Sequence, residues 1–119
     1  MAARTGRSDF AAGVEWPEAV AIAAERLIAG TPEASTLVLD AEGPAEVGLW
    51  RVSEGEFTTV HEGYDEYITI LAGRGRLIAE DGEVLELSPG VSAYTEDGYR
   101  GRWVIDEPLV KSYAVIPTR

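Results

Sequence analysis

The chain contains no cysteine and only one methionine and one histidine in 119 residues. The absence of cysteine excludes disulfide bonds, thiolate nucleophiles and zinc sites built from cysteine. Basic residues are also scarce, because 10 Lys and Arg stand against 21 Asp and Glu and give a formal net charge of -11. Nucleic-acid binding depends on basic side chains that neutralise phosphates. The charge therefore argues against a nucleic-acid partner and against an anionic membrane surface.

Long apolar runs are missing as well. No stretch approaches the roughly 20 apolar residues that span a bilayer, and residues 1–7 lack the apolar core of a secretory signal. We therefore expect a cytoplasmic protein without a membrane partner. A chain of 119 residues is predicted to form one domain, which can bury about two thirds of its unfolded surface.

The segment 17–29 has the apolar spacing of a short helix. Pro17 suits the first helical position, and Gly30 suits the C-terminal end. Val20, Ala23 and Leu27 would share one face of this helix. We expect residues 1–30 to form an N-terminal arm with a helix, and residues 35–117 to form a β-barrel.

From about residue 35 the apolar period changes to two, which is typical of strands. The predicted strands are Thr36–Asp40, Glu46–Val52, Glu56–Val60, Glu66–Leu71, Arg74–Glu80, Val84–Leu87, Val91–Thr95, Gly101–Asp106 and Leu109–Ile116. Asp81-Gly82 predicts a two-residue hairpin turn. Short strands at this spacing favour a sandwich or a barrel. Two runs, Tyr67–Ala72 and Val110–Ile116, are apolar on both faces, which favours a homodimer.

His61 is the single histidine, and Glu66 follows it by five residues. A neutral imidazole and a carboxylate can bind a divalent metal or share a proton. A nearby carboxylate raises a histidine pKa and fixes its tautomer, so an acid–base pair is one interpretation. The alternative is a structural hydrogen bond at a barrel mouth.

The spacing around this pair resembles the first cupin motif, Gly-(x)5-His-x-His-(x)3,4-Glu-(x)6-Gly. Glu66 and Gly73 fit its second half, His61 falls at the second histidine, and Thr59 falls at the first. The second cupin motif, Gly-(x)5-Pro-x-Gly-(x)2-His-(x)3-Asn, is followed in spacing from Gly90. Its glycines are kept, while its Pro, His and Asn positions hold Glu96, Gly101 and Ile105.

A closer resemblance is to the small single-domain cupins grouped with the ureidoglycine aminohydrolase cupin domain, and it covers roughly residues 25–117. The motifs that carry it are Gly48-Leu49-Trp50, Ile68-Thr69-Ile70-Leu71-Ala72-Gly73, Gly101-Arg102-Trp103 and Glu107-Pro108-Leu109-Val110-Lys111-Ser112-Tyr113. The resemblance implies an all-β cupin jelly-roll barrel. It also implies lyase, isomerase or hydrolase chemistry on a small polar metabolite.

The resemblance to cupins also implies where a metal cofactor would bind. Typical cupin sites use both histidines and the glutamate of the first motif and the histidine of the second. His61 and Glu66 are therefore the candidate ligands for Mn, Fe, Zn or Ni, and Thr59 and Gly101 replace the other two. Catalytic zinc sites usually supply three protein ligands, so Glu62, Asp65 or Tyr94 would have to complete the site. The period of two places Asp65 on the strand face opposite to Glu66.

The cupin alignment directs the strand face of Gly101, Trp103 and Ile105 into the barrel. Thr59, Tyr94, Trp103 and Tyr113 are the predicted pocket residues beside His61 and Glu66, the predicted catalytic residues. Core packing is the alternative for Trp103, as it is for Trp50, because tryptophan is usually buried. Lys111 shares a strand face with Tyr113 and can neutralise an anionic ligand if it points inward.

Two functions therefore stay open at this level. The first is an enzyme that binds a small polar metabolite and uses His61 as its acid–base group, with or without a metal. The second is a non-catalytic ligand-binding or accessory cupin with a degenerate metal site.

Overall fold

The computed structural model describes residues 15–118, and within them every regular element is a strand. The strands are β1 (Val20–Ala21), β2 (Leu27–Gly30), β3 (Glu33–Asp40), β4 (Glu46–Val52), β5 (Gly55–Val60), β6 (Tyr64–Ala79), β7 (Val84–Leu87), β8 (Ser92–Thr95) and β9 (Arg100–Pro117). The all-β fold class is confirmed. This part of the chain contains no helix with the length and hydrophobicity needed to cross a membrane.

The predicted helix over 17–29 is wrong. This segment instead holds the short strands β1 and β2 with a turn at 24–26 between them. Most of its apolar side chains stay at the surface, and Leu27 and Ile28 remain 39% and 48% exposed. A short helix depends on burying its apolar face, whereas β1 and β2 gain backbone hydrogen bonds by pairing with β3 and β5. Residues 1–14 of the predicted arm lie outside the described residues.

The nine described strands form one curled sheet with two halves. In the first half-sheet the order is β1, β3, β4, the second half of β9, the first half of β6, and β8. In the second half-sheet it is β2, β5, the first half of β9, the second half of β6, and β7. β6 and β9 thus belong to both half-sheets and fold them together like the corners of a sandwich.

Each corner strand joins two strands that the sequence predicts separately. β6 spans 16 residues and β9 spans 18, without a complete break. Their pairing shifts register between Ile70 and Gly75, where both strands bend. Gly73 lies in this bend with a φ of 89°, and a side chain there would meet the backbone of Pro108 and Leu109. The second glycine of the first motif is therefore required by backbone conformation and by close approach.

The β6–β7 hairpin also differs from the prediction. Its loop has three residues, Glu80 to Gly82, because Ala79 N–H donates to the Glu83 carbonyl and Gly82 N–H to the Ala79 carbonyl. Gly82 takes a φ of 95°. This is the turn followed by a left-handed residue that is common in three-residue hairpins.

The core lies between the two half-sheets. Its buried side chains come from the inward faces of both halves and include Val52, Phe57, Ile68, Ile70, Leu77, Leu87, Trp103, Ile105, Leu109 and Tyr113. The core does not fill the space between the half-sheets completely, and a cavity remains beside Trp103 and Tyr113.

Candidate functional site

A cavity of about 200 Å³ opens beside the core, between the two half-sheets. Its lining residues are Arg26, Thr36, Glu46, Trp50, Thr59, His61, Tyr64, Glu66, Trp103, Lys111, Tyr113 and Val115. At the ~30 Å³ that one molecule occupies in liquid water, it has the volume of about seven waters. The cavity therefore suits a small metabolite, and its lining is unusually rich in groups that titrate.

Four polar side chains form a connected row, and three of them, His61, Glu66 and Lys111, line this cavity. Lys111 Nζ donates a hydrogen bond of 3.0 Å to Glu66 Oε2, and Glu66 Oε1 lies 3.6 Å from His61 Nε2. On the other side of the ring, His61 Nδ1 lies 2.9 Å from Thr95 Oγ1. All four residues are buried. The row is positioned by register, because Thr95 pairs with Glu66 across β8 and β6.

His61 lies in the segment that follows β5, and its backbone is fixed there on both sides. Its N–H donates to the Tyr99 carbonyl, and its carbonyl accepts from Gly98 N–H. The imidazole lies between two aromatic rings, stacked on Tyr64 at 5.1 Å and tilted against Tyr99 at 5.5 Å. The ring is therefore held in one orientation toward Glu66.

Burial lowers the pKa of His61 below its ordinary value. Glu66 acts in the opposite direction, but the positive charges of Lys111 and Arg26 add to the lowering. Glu66 thus raises this pKa as expected, but the net shift is downward because desolvation of a buried imidazolium outweighs one carboxylate. The imidazole is neutral at neutral pH.

The side chain of Lys111 points inward. The sequence alone leaves this orientation open. Its ammonium lies 4.6 Å from the ring centroid of Trp50 and 4.7 Å from that of Trp103, so both indoles supply cation–π contacts. Burial lowers the pKa of Lys111, while the ion pair with Glu66 opposes that shift. The two tryptophans are thus part of the core and also cover the buried charge.

A divalent metal does not fit this set of side chains. Within residues 15–118, no group of three His, Cys, Asp or Glu is placed to hold an ion. The Thr59 and Gly101 positions face each other across β5 and β9, and a Cβ at Gly101 would meet the Ile78 carbonyl oxygen. A histidine therefore cannot be placed at position 101 without moving the backbone. The Lys111 ammonium already occupies one oxygen of Glu66.

The three proposed extra ligands also point elsewhere. Glu62 is exposed and pairs with Arg100 at 3.3 Å. The Asp65 carboxylate accepts hydrogen bonds from the Tyr94 hydroxyl at 2.6 Å and from Asp97 N–H at 2.8 Å. Both Asp65 and Tyr94 lie on the strand face opposite to Glu66, as the period of two predicts for Asp65.

The cavity brings together most of the predicted site residues. His61, Glu66, Thr59, Trp103 and Tyr113 line it, so their placement agrees with the cupin alignment. Tyr94 does not belong to the site, because its side chain is 53% exposed on the outer face of β8. The alignment gives its position in the strand but not its face.

Five residues of the cavity lining were not predicted from the sequence: Arg26, Thr36, Glu46, Tyr64 and Val115. Thr95, which contacts His61 from outside the lining, was not predicted either. Arg26 was not predicted because the apolar pattern of its segment indicates a helix outside the barrel. Glu46 begins β4 and accepts a hydrogen bond of 2.7 Å from the Tyr113 hydroxyl. Burial raises the pKa of Tyr113, and this hydrogen bond adds to the effect, so the phenol keeps its proton.

The sequence of this chain also matches a protein-family model. Residues 39–113 match the model of the EutQ-like cupin domain. The chain belongs to this cupin family. The match covers β4 to β8 and most of β9 and includes His61, Glu66, Lys111 and Tyr113. A comparison with curated protein sequences gives no significant match.

Solved structures share the cupin fold at low sequence identity. The Clostridium difficile EutQ protein has a TM-score of 0.65 at 20% identity, over 72% of this chain and 69% of that one. Ectoine synthase from P. lautus has a TM-score of 0.64 at 15% identity, over 78% of this chain and 69% of that one. A Pseudomonas syringae protein of unknown function reaches 0.74 at 21% identity, over 87% of this chain and 45% of that one. The aligned part of this chain thus spans less than half of that protein. At these identities the similarity shows the fold.

Proposed function

We propose that this cupin domain binds a small polar metabolite in its barrel cavity and transfers a proton on it without a metal ion. The observation that carries the proposal is the buried row Thr95–His61–Glu66–Lys111, whose last three members line the cavity. Titratable groups with shifted pKa values gather at functional sites. His61, Lys111 and Tyr113 are three such groups around one cavity.

The gap between His61 and Glu66 gives the ligand a place to react. The 3.6 Å between Nε2 and Oε1 is longer than a hydrogen bond, so neither atom is saturated by the other. A polar group of the ligand can contact both, and His61 and Glu66 are the groups that exchange its proton. Geometry in a free enzyme often tightens when the substrate binds.

Lys111 supplies the positive charge that a metal supplies in typical cupins. An ammonium has three N–H donors, and Glu66 accepts one of them. The remaining donors can stabilise negative charge that develops on the ligand, because a charge fixed by the surrounding protein needs no reorganisation during the reaction. Isomerase or lyase chemistry follows more directly from these groups than hydrolysis.

The comparisons support this proposal at the level of the fold. Ectoine synthase is an enzyme with the same fold, so a barrel of this shape is compatible with catalysis. One fold hosts many functions, however, and the activity has to be argued from the site. The resemblance to ureidoglycine aminohydrolase cupins remains a prediction.

A second function, non-catalytic binding of a metabolite, is favoured by the surroundings of His61. Both ring nitrogens face protein groups, Thr95 on one side and Glu66 on the other. An imidazole held in this way can shape the cavity without taking part in a reaction.

Proton exchange in heavy water separates the two functions without knowledge of the full reaction. The purified protein is incubated in D2O with a library of small hydroxy, keto and amino acids, and loss of C–H signals is followed by ¹H NMR. We expect exchange on at least one compound, which His61→Gln and Glu66→Gln abolish. Glu56→Gln, on the outer face with Arg102, is the matched control. Binding without exchange would establish the non-catalytic function instead.

Homodimerisation remains part of the proposal. Its support is the exposed apolar surface on the outer face of the first half-sheet, where Val47, Tyr67, Tyr94 and Ile116 are 37–53% exposed. Light scattering after size exclusion gives the oligomeric state directly, and a monomer mass at all concentrations would exclude the dimer.

A further inference from the structure

Two charged side chains at the cavity lack a partner of opposite sign. Among residues 15–118, neither Arg26 nor Glu46 forms an ion pair, whereas the other two charges of the lining, Lys111 and Glu66, neutralise each other. The unbalanced charges are therefore one guanidinium and one carboxylate, and their sum is zero.

Arg26 is held so that part of its guanidinium remains available. Its Nε donates to the Thr58 carbonyl at 3.0 Å, and its Cζ lies 5.5 Å from the ring centroid of Phe57. These contacts use one of the five N–H donors. The remaining donors form the planar fork that binds a carboxylate through two parallel hydrogen bonds.

Glu46 is positioned in a comparable way. One oxygen, Oε2, accepts the Tyr113 hydroxyl at 2.7 Å, which fixes the carboxylate at the cavity wall. The carboxylate retains free acceptor positions, and an ammonium group is their natural partner.

The two charges lie on opposite walls. Arg26 contacts β5 of the second half-sheet through Thr58 and Phe57. Glu46 pairs with Val115 in the first half-sheet. A ligand between the half-sheets therefore meets a cation on one side and an anion on the other.

We propose that the ligand is a small zwitterion resembling an amino acid, with its carboxylate on Arg26 and its ammonium group on Glu46. This assignment rests on the proposed function of the same cavity and narrows its ligand class. A purely anionic ligand would leave Glu46 without a counter-charge, and a purely cationic one would do the same to Arg26. The volume of about 200 Å³ has room for a ligand of amino-acid size.

The test uses matched series of probes that differ only in charge. Glycine, 3-aminopropionate, 4-aminobutyrate and 5-aminovalerate are compared with the carboxylic acids and the amines of the same chain lengths, by saturation-transfer NMR and calorimetry. We expect at least one amino acid to bind about tenfold tighter than its matched acid and amine, as one added charge-assisted hydrogen bond predicts. Arg26→Gln and Glu46→Gln should each remove this preference. Arg102→Gln and Glu56→Gln, outside the cavity, should retain it.

Two results would overturn the inference. In the first, the acids bind as tightly as the amino acids and Glu46→Gln changes nothing. In the second, none of the amino acids binds at millimolar concentration to a protein whose fold is verified by circular dichroism. Neither result removes the proposed function if proton exchange on another compound still depends on His61 and Glu66. Loss of that exchange, by contrast, would refute the proposed function and leave any zwitterion binding in place.

Discussion

Replacing Lys111 with Met should destabilise the protein strongly, because the change leaves Glu66 buried without its counter-ion. The two side chains are 7% and 9% exposed, and their charged atoms are 3.0 Å apart. At an effective dielectric constant near 20, charges at this distance attract each other by about 5–6 kcal/mol. Part of this is offset by the cost of desolvating the charges. Breaking such a buried pair typically costs about 3–5 kcal/mol, a large share of the roughly 5–15 kcal/mol that stabilises a domain.

The double variant distinguishes the ion pair from simple packing. In Lys111→Met/Glu66→Gln no buried charge is left alone, and we expect it to be more stable than Lys111→Met by about 2 kcal/mol or more. Urea denaturation measures the free energies, and tryptophan fluorescence is a suitable signal because Trp50 and Trp103 contact the ammonium. The pair Arg102–Glu56 on the outer face, with side chains 48% and 25% exposed, is the control, with an expected coupling of about 0–1 kcal/mol. Additive effects at Lys111 and Glu66, within about 0.5 kcal/mol, would refute the reasoning.

Two further predictions concern the pKa of His61 and the metal. The single histidine makes its NMR titration unambiguous, and we expect a midpoint below about 6.5 that rises in Lys111→Met. The pKa of His61 is lower in the folded state than in the unfolded state. Its contribution to the free energy of unfolding is therefore fully present above the unfolded-state pKa and is lost as pH falls through the folded-state pKa. A titration midpoint above 6.5 would contradict the burial argument. For the metal, elemental analysis of protein purified without an affinity tag should find none in stoichiometric amount. The variant Gly101→His should be less stable and should still bind no metal, because the new side chain meets the Ile78 carbonyl. Stoichiometric metal that is lost in His61→Ala would show that these side chains do hold a metal ion.

The sequence predicted the strands well because alternation of apolar residues directly reports a half-buried sheet. β4 and β7 agree with their predicted bounds. The two corner strands were predicted as pairs of strands because Gly73 and Pro108 read as breaks, although they mark bends within continuous strands. The N-terminal segment was predicted wrongly because local propensity favours a helix there, while strand pairing over distance decides the outcome.

The site was predictable only in part. Motif spacing placed His61, Glu66 and Trp103 together, because residues of neighbouring strands follow the fold. It could not show that Lys111 points inward, since a lysine is exposed by default. Arg26 and Glu46 belong to no motif, and only the folded chain brings them to the same cavity.

The two corner strands have a consequence for how the chain folds. β9 pairs with β4, β5 and β6, and it is the last of the nine described strands to be synthesised. Neither half-sheet can be completed before it emerges, and its partners in β4 begin more than 50 residues earlier. Such distant contacts slow folding. Until β9 has been synthesised, the apolar faces of the eight earlier strands remain exposed. The nascent chain is therefore the state most vulnerable to aggregation.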